Sequence, residues 1–79
     1  MITLKIGGYL SLRRAKELQV KYPSMLIQSN EDFNGQTIYS YVEMAHFRDD
    51  DEAMLFMIEA SDCHPEVTTK PFKAGHKSF

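Results

Sequence analysis

Few residues in this chain could carry covalent or acid–base chemistry, and their spacing narrows the field further. One cysteine, Cys63, stands between Asp62 and His64, with His46 and His76 as the other imidazoles. A nucleophilic cysteine needs a base within hydrogen-bond reach. Neighbours in an extended segment point to opposite sides, which turns His64 away from Cys63. His46 falls at the far end of the hairpin read below. A structural zinc site wants four ligands at characteristic spacings, and neither CxxC nor HxxxH occurs. Acid–base work by paired carboxylates needs two of them in unlike environments, whereas Asp49, Asp50, Asp51 and Glu52 form one tight run. A calcium loop would alternate its ligands and close on a distant glutamate, so this run reads as a solvated turn. Gly7-Gly8 ahead of a helix could cradle a phosphate, but its spacing matches no phosphate-binding fingerprint. The expectation is a protein without catalytic residues, metal or cofactor.

The elements that would position these groups can be read in order. Met1 to Ile6 alternates Ile2, Leu4 and Ile6 with Thr3 and Lys5, the period of a strand with one buried face. Gly7-Gly8 breaks it. Ser11 offers an N-cap hydroxyl, with Leu10 and Ala15 at staple spacing. Leu12, Ala15, Leu18 and Tyr22 then form a helical stripe, and Pro23 stops it. This predicts a helix over residues 10–22. Met25 to Ile27 suits a second strand, followed by a turn-rich connection over 29–36 centred on Asn34-Gly35. Thr37 to Phe47 is rich in β-branched and aromatic residues and reads as a third strand.

Residues 53–61 read as a fourth strand, joined to the third by a charged hairpin loop over 48–52. Phe47 would face Ala53, Met44 would face Phe56 and Val42 would face Ile58. In a rival reading Asp50 caps a second helix over 51–61, its three early acids suiting the helix dipole and its Met, Leu, Glu and Ala the helix interior. The preferred fold class is α+β: a small β-α-β-β-β domain over residues 1–64, its antiparallel-rich sheet carrying one helix on one face. Residues 65–79, with Pro71, Gly75 and three lysines, read as an extended or mobile tail.

Size and charge bound the function. Seventy-nine residues make one thin-cored domain. With 43% apolar and 25% charged residues the composition is that of a globular protein. A single cysteine excludes an internal disulfide framework and suits a reducing cytoplasm. The apolar run 53–58 is too short for a bilayer span, and residues 1–20 lack a secretory pattern. The net charge of −2 hides segregation. Residues 1–30 hold five basic residues against Glu17, residues 31–66 hold ten acids against Arg48, and the tail adds three lysines.

On the strand reading, the sheet face away from the helix shows Tyr39, Tyr41, Phe47, Leu55 and Met57 beside the acids 49–52. A patch of that kind seldom stays bare. It could be covered by the tail through Phe72 or Phe79, by a second copy forming a homodimer, or by another protein with a basic surface. The sequence therefore points to a non-enzymatic protein-binding module. One version, by analogy in size and charge with small phage-type accessory proteins, is an inhibitor of a host nucleic-acid-handling complex, its acidic hairpin imitating phosphate. The alternative is a nucleic-acid binder stacking bases on Tyr39 and Tyr41 with the basic helix and tail. Glu43 and Glu59, on that same face, oppose it.

Overall fold

The structure is a computed structural model and describes residues 1–73 and 75–77. The chain forms β1 (Ile2–Ile6), α1 (Leu12–Lys21), β2 (Met25–Asn34), β3 (Thr37–Phe47), α2 (Asp50–Glu59), a 3-10 turn (Ser61–Cys63), β4 (Pro65–Val67) and β5 (Gly75–Lys77). The strands lie in the order β4-β1-β3-β2-β5. The first four are mutually antiparallel, and β5 joins the β2 edge in parallel. The expected class, a small α+β domain built on an antiparallel-rich sheet, is the observed one.

Helix α1 follows from its ends. The Ser11 hydroxyl accepts from the Arg14 amide at 3.2 Å. Leu10 and Ala15, the staple pair, are both buried in the core. With Leu18 and Tyr22 they form the inward stripe, and Pro23 follows the last turn.

Residues 53–61 correct the sequence reading: they are not a strand. Asp49, rather than Asp50, caps α2, its carboxylate accepting from the Asp51 and Glu52 amides at 2.9 and 3.3 Å. Three acids in the first turn then meet the positive end of the helix dipole. The strand reading fails for a second reason. A strand has two edges, and residues 44–47 of β3 already pair with β1 on one side and β2 on the other. The proposed acidic hairpin is thus the start of a helix, and two helices rather than one serve the sheet. Strand β2 is also longer than expected, running through the predicted connection as far as Asn34, and the turn falls at Gly35 with φ +65.

A bulge organises the two sheet faces. Gln28 faces Met44 and Ser29 faces Val42, leaving Glu43 as the extra residue. Below it the odd-numbered Ala45 and Phe47 point to the helices; above it the phase reverses and Val42 enters the core. The bulge therefore lets Val42 and Phe47 share one core while Tyr41, Glu43 and Met44 stand on the open face. The core gathers Leu4, Leu10, Met25, Phe47, Phe56 and Cys63, all essentially buried. Phe33 and Ile38, paired near the β2–β3 turn, lie beyond the helices and are 64% and 63% exposed.

Candidate functional site

Helix α2 is apolar on both sides. Ala53, Phe56 and Ala60 are fully buried, Phe56 with its ring centroid 5.1 Å from Phe47 and 6.4 Å from Tyr22. On the other side Met54, Leu55 and Ile58 are 57%, 54% and 73% exposed. A surface helix normally sets polar residues outward, and a helix apolar all round is normally covered. Its outward side departs from that rule. Neither alternation nor helical periodicity isolates it, because apolar residues on both sides leave no single stripe.

The acids at the N-terminal end of α2 are largely committed. Asp49 is the cap, Asp50 lies 2.8 Å from the Met1 ammonium, and Glu52 accepts from the Ser24 amide at 2.9 Å. Asp51 has no side-chain partner among the described residues. Further along, Glu59 accepts from Lys21 at 2.8 Å and from the Tyr22 hydroxyl. Hydrogen bonding from Lys21 and then from Tyr22 holds the Glu59 carboxyl below its usual range.

The other predicted contacts are dispersed. Tyr39 and Tyr41 are half-buried on the open sheet face, opposite α2. The Tyr39 hydroxyl donates to Asp32 at 3.3 Å, and the charge of that carboxylate raises the phenol's pKa. Phe47 corrects the expectation of an exposed contact. Flanked in register by Ile2 and Met25, it turns into the core and is fully buried. Met57 is half-buried against the core, while Leu55 is exposed on α2. The predicted set therefore divides between the acids with Leu55 on one side of the molecule and the tyrosines on the other.

Part of the open face is covered by the chain's own C-terminal segment. β4 pairs with β1, and the Thr68 amide donates to the Thr3 carbonyl at 2.9 Å. Phe72 stacks on His46, centroids 5.3 Å apart, and the Lys73 amide donates to Gln28 Oε1 at 2.8 Å. Phe79, the other expected anchor, lies outside the described residues. Beneath this strap Gln28 and Asn30 are buried, their amides donating to the two oxygens of Glu43 at 3.0 and 2.5 Å. Polar side chains are seldom so buried without such mutual satisfaction.

Cys63 donates through its thiol to Asp62 Oδ2 at 3.8 Å. It is fully buried, Arg14 Nη1 approaches its Sγ at 3.4 Å, and burial pushes the thiol pKa up. Arg14 is itself clamped in two bonds to Asp62, at 2.7 and 3.1 Å. His46 is held elsewhere, its Nδ1 at 2.8 Å from the Thr3 hydroxyl. The amides of Gly7 and Gly8 donate to the His64 and Cys63 carbonyls at 3.0 and 2.8 Å, so they are spent within the fold rather than turned to a ligand. Among the described residues no three His, Cys, Asp or Glu side chains gather as metal ligands, and no helix is long and apolar enough to cross a membrane.

These features define a small α+β domain with an uncovered apolar helix face. A scan against protein-family models finds no match for the chain, and searches of curated proteins and of solved structures find none either.

Proposed function

We propose that this domain is a protein-binding module that docks through the outward side of α2, on a partner offering an apolar recess with a cationic rim. The exposure of Met54, Leu55 and Ile58 along one helix supports this reading most directly. Little more than one turn of helix presents them rigidly, so little ordering entropy is lost on contact. The charge argues for a different protein rather than a second copy. A symmetric antiparallel pairing of α2 with itself would bring Asp50 and Asp51 toward the copy's Glu59, whereas a basic rim complements Asp51 and the acids around it.

Phosphate imitation, the inhibitor version of this reading, has less support, because Asp51 is the member of the run left without a side-chain partner. Nucleic-acid binding on the tyrosines has less again, since Asp32 and Glu43 stand among them. The test compares the native chain with a Leu55→Ser/Ile58→Ser variant as bait, followed by purification of the retained protein. A direct binding partner is expected that the variant loses, that Tyr41→Ala retains, and whose affinity for the native chain falls as salt rises. Equal binding to native and Ser variants would overturn the proposal, as would salt-independent self-association as the sole interaction of α2.

A further inference from the structure

A groove of about 590 Å³ opens on the face opposite α2, between the sheet and the strap. Its apolar wall comes from Met44 and Pro71; Ile6 and Val42 also border it, but they belong to the core. Its polar lining is unbalanced. Gln28 is used at both ends, donating to Glu43 and accepting from Lys73, and both Glu43 oxygens accept from buried amides. The Gly8 amide is bonded to Cys63. Three lining side chains have no hydrogen-bond or ion-pair partner among the described residues: Lys5, Lys70 and Tyr41. All three are donors, two of them cationic. Glu66, across from Lys5 in the β1–β4 register, makes no ion pair with it, and among the described residues Glu43 is the one carboxylate on the lining.

We infer that this groove binds a small organic anion with an apolar body, its charged head between Lys5 and Lys70 and its body against Met44 and Pro71. The volume suits such a ligand, since small-molecule sites are mostly apolar clefts of roughly 300–1,000 Å³ with a few convergent polar groups. The surplus of donors selects an acceptor-rich head, carboxylate or phosphate alike. The bulge that brings Glu43 and Met44 to this face is a device common beside binding sites. Glu43, with its oxygens already engaged, keeps Gln28 and Asn30 fixed beneath the ligand.

The test uses the full chain, ¹⁵N-labelled, titrated with 4-phenylbutyrate, phenyl phosphate and the uncharged 4-phenylbutanol. Saturable shifts are expected at the Lys5, Gln28, Met44 and Lys70 amides, with one or both anions binding more tightly than the alcohol. Lys5→Gln and Lys70→Gln should each weaken anion binding about two- to fivefold, the range an exposed charge pair supplies, and leave the alcohol unchanged. Both positions are exposed, so the variants should keep the native melting temperature. Equal binding of anions and alcohol, shifts confined to α2, or no saturable shift with any probe would overturn the inference. The Leu55→Ser/Ile58→Ser variant should bind the anions normally, which separates this site from the α2 surface.

Discussion

Truncating Phe56 to alanine tests the orientation of α2 directly. The ring is fully buried and touches the two aromatic members of the core, Phe47 and Tyr22. Removing such a ring costs ~3–5 kcal/mol in lost transfer energy and residual cavity. A chain of 79 residues has on the order of 4–12 kcal/mol in total, so the variant stands near its unfolding threshold. Ile58, two positions on, is 73% exposed, and Ile58→Ala should move stability by no more than ~0.5 kcal/mol. Urea titrations followed by circular dichroism would separate the two. With a slope of ~1 kcal/mol/M, the first variant loses about 3 M or more of midpoint and the second less than about 0.5 M. Should Phe56→Ala leave no folded baseline, Phe56→Leu at ~1–2 kcal/mol keeps the comparison quantitative. In an extended segment Phe56 and Ile58 would share a face and cost alike. Equal losses at the two positions would refute the helix and everything argued from its outward side.

Two further outcomes follow from the site geometry. Cys63 should react slowly with a thiol reagent at pH 8 and rapidly once urea unfolds the chain, because burial both shields the sulfur and disfavours its thiolate; fast labelling of the native chain would contradict this. Acid should also destabilise the fold. Hydrogen bonds from Arg14 and Lys21 hold Asp62 and Glu59 below their ordinary values of 3.8 and 4.5. A carboxyl depressed in the folded state stabilises above its unfolded value, and that contribution fades as pH falls through the folded one. Melting temperatures at pH 7, 5 and 3 should therefore decline at the acid end, and Arg14→Gln should flatten the decline. Both groups are exposed, so the effect is shallow; an unchanged acid slope in the variant would remove Asp62 from the account.

The parts of this fold legible in the sequence are those where local and tertiary signals agree. Ser11, the Leu10–Ala15 pair and Pro23 each name one end of α1, and the alternation of Ile2, Leu4 and Ile6 has a single interpretation. Residues 50–59 failed because Met54 to Ile58 is unbroken apolar sequence, in which a period of two and one of 3.6 fit equally. The arbiter was not local: β3 had no free edge left beside Phe47. Strand β2 was missed beyond Ile27 because Gln28 and Asn30 look like loop residues until Glu43, thirteen or more positions away, is seen to receive their amides. The bulge that places Glu43 there has no marker such as glycine, and it moved Phe47 off the face of Tyr39 and Tyr41 and into the core. Leu55 and the acids were legible as candidates, but the plan that grouped them with Tyr39 and Tyr41 was not.

The pairing of β1 sets the tempo at which this chain can become a protein. Its first partner, residues 44–47, lies some forty positions downstream, and its second, Pro65–Val67, some sixty. During synthesis Ile2, Leu4 and Ile6 are therefore made before either partner and stay unpaired until those residues exist. Topologies that depend on such distant pairings fold on the order of milliseconds to seconds rather than microseconds. For that interval the nascent chain carries a bare hydrophobic strand, and shielding it falls to the surroundings of the ribosome rather than to the fold itself.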